Sequence, residues 1–212
     1  MRAMERRHLL GAGLALACTG LVARPAEAAL SAADRAEIAR AQAYLDSITT
    51  LKARFLQVAP DGSTATGTAW LDRPGRMRFQ YDPPSPLLLV AGHGLFVYYD
   101  ASLQQTSNLP LASTPLGLLL QRHLRLSGDV TVTAVKHRPG ELILRLVRTR
   151  NPAQGSLTLV FADPPLVLRQ WQVEDARHQV TQVTLYNIET GGRFKQSLFT
   201  FIDPKFFQNN QH

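Results

Sequence analysis

The chain of 212 residues has one cysteine, Cys18. It can therefore form no internal disulfide and has no second thiolate from which to build a zinc cluster. It has no apolar run of the roughly twenty residues a helix needs to span a bilayer. It also lacks the short signatures of chemistry. His93, His123, His137, His178 and His212 show no HExxH or other metal-ligand spacing, and there is no GxSxG elbow, phosphate-binding loop or dinucleotide fingerprint. The reading is a protein that is not an enzyme, with no catalytic residue, no metal and no cofactor. Acidic residues are in deficit, 16 against 23 basic ones, for a net charge of +7. That bias suits nucleic acid, anionic lipid or simple solubility, and does not choose among them. A hydrophobic fraction of 45% with 18% charged residues excludes a disordered chain.

What the chain does have begins with an address. Arg2, Arg6 and Arg7 precede an apolar stretch from Leu9 to Val22, and Ala26-Glu27-Ala28 supplies a small-x-small cleavage pattern. Residues 1–28 read as a cleaved signal peptide, with residues 29–212 as one exported domain in the periplasm. The Arg6-Arg7 pair leaves open a twin-arginine route. Cys18 leaves open a lipid anchor, although alanine stands at position 15, where a lipobox usually has leucine. Cleavage removes four arginines and two glutamates and leaves a net charge of +5.

The exported part opens with a helix over Ser31 to Thr49. Ile38, Ala41, Leu45 and Ile48 recur at spacings of three and four, Ser31 caps the first turn and Asp34 returns the contact. From Leu51 the period becomes two. Strands are expected at 51–58, 64–72, 76–81, 87–91, 95–99, 129–136, 141–147, 156–162, 166–174, 179–187 and 194–201, separated by turns such as Pro60-Asp61-Gly62 and Arg138-Pro139-Gly140. One interruption, Thr114-Pro115-Leu116-Gly117-Leu118-Leu119-Leu120, reads as a capped short helix that is apolar on nearly every face and must cover something apolar. The fold class expected is α+β, mainly β: a single curved antiparallel sheet forming an unclosed β-barrel covered by short α-helices.

Alternation sends Arg76 and Arg78 to one side of their strand and Phe79 and Tyr81 to the other, so charge and stacking platform do not share a surface. The arginines read as a solvated outer face, and nucleic acid is not expected as a partner. Phe55, Met77, Phe79, Leu89, Phe96 and Tyr98 fall on inner faces. They are either ordinary core or the lining of a gap suited to acyl chains.

The order of several segments resembles the periplasmic outer-membrane lipoprotein carrier family, the LolA-like proteins. These are Phe55-Leu56-Gln57, Gly67 to Gly75 with Trp70 and Arg73-Pro74, Arg78-Phe79-Gln80-Tyr81, Leu89-Val90-Ala91, Phe96 to Asp100, Gln104-Gln105, Thr114-Pro115-Leu116 and Phe199-Thr200-Phe201 with Pro204. The resemblance implies a chaperone that carries lipoproteins from the inner to the outer membrane with their acyl chains in an apolar cavity. Its implied partners are acylated lipoproteins, an inner-membrane lipoprotein-releasing ABC transporter and an outer-membrane lipoprotein receptor, and it implies a monomer. It also implies that Arg73 latches a helical lid, although a turn-stabilising ion pair with Asp72 or Asp82 is the competing reading. The acyl-chain cavity implied is formed by Met77, Leu89 and Leu119 with Phe79 and Leu116 beside them. Phe55, Phe96, Tyr98 and Leu120 join this expected lining from the alternation and from the apolar helix. A family aromatic is replaced by Met77, and Gly92-His93-Gly94 replaces a commoner Asp-Gly turn. Two other roles remain open: a receptor-type or bifunctional lipoprotein-inserting protein, and a periplasmic lipoprotein sensor or structural module.

Overall fold

A computed structural model describes residues 30–205. The signal segment with Cys18, the cleavage point and His212 lie outside the described residues. The first helix, α1, spans Ala32–Ser47, and its entry is set by the reciprocal cap expected from the sequence. The Asp34 amide donates to Ser31 Oγ at 3.0 Å and the Ser31 amide donates to Asp34 Oδ2 at 2.9 Å, which satisfies two of the amides a helix start leaves without partners. Its buried face is narrow: Ala41 and Leu45 are covered, and Ile48 follows at the C-cap.

Eleven strands follow: β1 (Thr50–Val58), β2 (Thr64–Asp72), β3 (Arg76–Tyr81), β4 (Leu87–Gly92), β5 (Leu95–Asp100), β6 (Gln105–Pro110), β7 (Val130–Arg138), β8 (Glu141–Arg148), β9 (Gly155–Ala162), β10 (Val167–Asp175) and β11 (Val180–Thr190). They form one antiparallel sheet in the order β6-β5-β4-β3-β2-β1-β11-β10-β9-β8-β7. Every neighbour is a hairpin partner except β1 and β11, which pair from Leu51 opposite Thr190 to Val58 opposite Gln182 and join the two halves. The outer strands β6 and β7 do not pair with each other, so the sheet curls without closing.

Alternation builds the concave face. Ala53, Phe55, Ala69, Met77, Phe79 and Tyr81 are buried from one half, and Leu144, Leu146, Leu159, Phe161, Trp171 and Leu185 from the other. Gly67 sits opposite Phe55 because the Phe55 ring occupies the place of its side chain: a Cβ there would lie 2.6 Å from the ring and 2.3 Å from the Gln80 carbonyl.

The open edges dictate where the lid runs. The chain leaves the sheet at Pro110 on one edge and re-enters at Val130 on the other, so residues 111–129 must cross the mouth. This crossing carries a 3-10 turn at Leu111–Ser113 and the short helix α2, Leu116–Leu119. Thr114 caps it as expected, its Oγ1 accepting the Gly117 amide at 3.1 Å.

Two expectations are corrected. Residues 105–110, polar and ending in proline, form the edge strand β6, which their composition hides because an edge strand has little to bury. Residues 194–201 are no strand. They hold a 3-10 turn, Gln196–Phe199, laid across the outer side of β3 and β4, where both neighbouring strands already have partners. There Arg78 donates through Nη1 to the Leu198 carbonyl at 3.2 Å, and Val90 is buried. The outer face near Arg78 is therefore covered rather than fully solvated.

Candidate functional site

Under α2 lies a closed apolar cavity of about 30 Å³. Leu116 and Leu119 of the lid, Met77 and Phe79 of β3, Trp171 of β10 and Leu45 of α1 line it. That volume holds about one water-sized body, so the lid's leucines fill the space above the sheet. Ile48, Leu51, Leu71, Leu168 and Leu185 complete its wall.

Arg73 is the charged residue at this wall. It sits in the β2–β3 turn, which places its half-buried guanidinium between the two helices. Nε donates to the Leu119 carbonyl at 2.6 Å and Nη1 to the Leu45 carbonyl at 2.5 Å. One side chain thus joins the last turn of α2 to the last turn of α1, where the Leu45 carbonyl also accepts the Ile48 amide at 3.3 Å and the dipole of α1 favours a cation. Burial lowers the Arg73 pKa from its usual value, and the charge of Asp46 acts in the opposite direction. The competing turn ion pair is not formed. Asp72 pairs with Arg76 at 3.0 Å, and Asp82 is taken by Arg54 and by Thr66, whose Oγ1 donates at 2.8 Å.

Other tethers on the lid are polar as well. The Gly75 amide donates to the Leu120 carbonyl at 2.8 Å. The Leu124 amide donates to Asp46 Oδ1 at 3.0 Å and the Leu126 amide to Gln42 Oε1 at 2.9 Å, so the polar side of α1 holds the segment after α2.

Of the expected lining residues, Met77, Phe79, Leu116 and Leu119 come together around this cavity with Arg73. Phe55 belongs to an aromatic cluster behind Phe79, its ring tilted against Phe79 at 4.9 Å and edge-on to Tyr81 at 5.1 Å. The Tyr81 hydroxyl donates to Gln57 Oε1 at 2.7 Å, and burial raises its pKa above the ordinary tyrosine value. Leu89 pairs with Phe79 on one side and Tyr98 on the other, and with Phe96 continues the concave face toward the β6 edge. Both are half-buried, whereas Tyr98 is 38% exposed. Leu120 is buried on the far side of the lid and faces a different cleft.

Several wall residues were not singled out from the sequence. Leu168 and Trp171 are three apart, which period two assigns to opposite faces. A register shift between Leu168 and Gln170 brings both inward. Leu51 and Leu185 meet at the wall only because β1 pairs with β11.

Comparison with known proteins places this architecture. The model of the family described as outer membrane lipoprotein carrier protein LolA matches residues 46–202. An outer-membrane lipoprotein carrier protein of Chromohalobacter salexigens is 29% identical over 214 aligned positions, covering 97% of this chain and 96% of the relative. The protein of the same name from Methylococcus capsulatus is 28% identical over 183, covering 82% of this chain and 87% of the relative. Among solved structures, a LolA superfamily protein from Nitrosomonas europaea superposes with a TM-score of 0.41 at 12% identity, covering 77% of this chain and 97% of that one. The family match spans β1 to the C-terminal 3-10 turn and includes Arg73, the lid and the concave sheet, and the chain belongs to the LolA family of outer membrane lipoprotein carriers.

Proposed function

We propose that this protein is a periplasmic carrier that shelters the acyl chains of lipoproteins beneath its lid while they cross from the inner to the outer membrane. It receives them from an inner-membrane ABC transporter and yields them to an outer-membrane receptor. The observation that carries this reading is the apolar cavity closed by leucines and held shut by polar contacts centred on Arg73.

The energetics favour a reversible device. Each sheltered methylene contributes about 0.8 kcal/mol, so even half of a typical acyl chain gains several kcal/mol. Opening costs the hydrogen bonds from Arg73, each a charge-assisted contact of about 1.5–3 kcal/mol, together with the burial of Leu116 and Leu119. These quantities are of similar size, so the lid opens for cargo and its closure helps to expel it. A partner that competes for the Arg73 contacts shifts the same balance.

Trp171 lines the cavity, whereas the Trp70 side chain, cross-strand from Arg78, is on the opposite face of the sheet. A triacylated lipopeptide brominated along its chains should therefore quench Trp171 on binding, read in a Trp70→Phe variant. Unquenched emission with lipopeptide bound would place the chains elsewhere and reject the reading. Arg73→Leu should fold and accept lipoprotein but fail to hand it on in a two-membrane transfer assay, because closure no longer gains the latch contacts. Normal transfer by that variant removes Arg73 from the mechanism. Binding without delivery by the wild-type protein would make it a sensor, and insertion into membranes without a receptor would make it bifunctional.

A further inference from the structure

The lid crosses from one half of the sheet to the other, and each of its ends is gripped by the half it does not come from. Its entry belongs to the first half, β1 to β6. It follows β6 directly, and the Leu111 amide donates to the Gly94 carbonyl of the β4–β5 turn at 2.8 Å. Arg148, the last residue of β8 in the second half, reaches this entry, where Nη2 donates to the Ala112 carbonyl at 2.5 Å and to the Thr114 carbonyl at 3.2 Å. The exit belongs to the second half, since it leads to β7 and is held by Asp46 and Gln42 to α1. That helix is itself fixed to the second half: the Tyr44 hydroxyl accepts the Leu168 amide at 3.1 Å, and Arg40 Nη1 donates to Asp163 Oδ1 at 2.9 Å. The grip on this side comes from the first half, through Arg73 and the Gly75 amide of the β2–β3 turn. Arg148 is half-buried, as Arg73 is, and among the described residues it takes part in no ion pair.

We propose that Arg148 is a second latch, and that it forms with Arg73 a crossed clasp which holds the two open edges of the sheet together across the mouth. Each guanidinium ties its own half to lid residues that the other half carries, so the halves cannot part while either grip remains. Arginine suits the task because a charge-assisted hydrogen bond is about twice as strong as a neutral one, and its long side chain delivers that bond from a neighbouring strand. The acceptors are neutral carbonyls, so release leaves no unpaired carboxylate buried behind it. Arg148 is thus a positioning residue, since it touches the lid and not the cargo. Its effect on lipoprotein transfer rests on the carrier reading, whereas the clasp does not.

The test is amide hydrogen exchange on the purified protein without cargo. R148Q should raise exchange over residues 111–118 about tenfold, the size expected for one lost charge-assisted hydrogen bond. The Leu124 and Leu126 amides, held by α1, should keep their protection and show that the domain remains folded. R148K, which retains a charged donor, should recover part of the protection. R150Q removes the same charge at an exposed neighbour that makes no hydrogen bond to the lid among the described residues, and should leave exchange at the wild-type level. The double variant R73L/R148Q should exceed both single variants across residues 111–121, because only then is each grip gone. Unchanged exchange in R148Q overturns the proposal, and so does an equal rise in R150Q, which would trace the effect to surface charge. Loss of protection at Leu124 and Leu126 as well would mean general loosening and also overturns it. With a triacylated lipopeptide, R148Q should bind several-fold tighter than wild type and release more slowly, since closure no longer competes as strongly with cargo. Faster exchange in the lid without any lipopeptide binding, in wild type or variant, would reject the carrier reading and leave the clasp standing.

Discussion

At the scale of single residues the protein depends on a few side chains whose partners are backbone atoms. Arg73 bridges two carbonyls, Leu45 and Leu119, on different helices. A lysine keeps the charge but not the planar fork that reaches both at once. Arg73→Lys should therefore fold with near-native stability yet raise amide hydrogen exchange over residues 117–121 several-fold, and unchanged exchange there would show that the bridge does not hold the lid. Gly67 makes the opposite demand. A methyl at 2.3 Å from the Gln80 carbonyl and 2.6 Å from the Phe55 ring cannot be placed without moving the sheet. Gly67→Ala should cost about 1–3 kcal/mol in urea unfolding. Sequence marked Arg73 only through its family resemblance, because a carbonyl partner leaves no trace in residue identity. It left Gly67 unexplained, since the ring that fills its place arrives from another strand.

At the scale of elements, α1 was the most legible. Its cap, its start and its buried Ala41 and Leu45 follow from local pattern, because capping and helical spacing are decided within a few residues. Ser31→Ala should lower stability by about 1 kcal/mol, shifting the urea midpoint without changing the slope, since the box acts on helix ends and not on compactness. Leu45→Ala, at 1% exposure and against the cavity, should cost about 2–5 kcal/mol, and a smaller loss would mean that the lid collapses into the space. The strands that were misread share a cause. β6 is polar because it is an edge, and residues 194–201 alternate like a strand but meet a sheet with no free edge beside them. Periodicity reports which side of a segment is covered, not whether a neighbouring strand is there to bond it.

At the scale of the whole molecule, surface carboxylates tie distant parts of the sheet and helix together. Arg40 on α1 donates through Nη2 to Asp163 at 2.5 Å, Arg54 pairs with Asp82, and Glu174 accepts from Arg145 at 2.7 Å. Hydrogen bonds from these partners hold Asp163 and Asp82 below the usual carboxylate pKa of 3.8, and those from His178 and then Ser156 hold Glu174 below 4.5. A carboxylate with a depressed folded pKa stabilises the protein fully above its unfolded pKa, and this is lost as the pH falls through the folded value. Stability should thus decline on acidification below about pH 4.5, and Asp163→Asn should flatten that limb in melts recorded between neutral and acid pH. A melt whose acid limb is unchanged in the variant would exclude Asp163 as a contributor. The sequence by itself determined the antiparallel, mainly β architecture, the apolar short helix and the family, because alternation, capping and segment order are local and additive along the chain. Only the tertiary structure decided which residues form the cavity wall, that Arg73 holds carbonyls and not a carboxylate, and that the lid separates a closed cavity from an open cleft. Those outcomes depend on the pairing of β1 with β11 and on residues 111–129 crossing between two open edges, which bring together atoms that no local pattern connects.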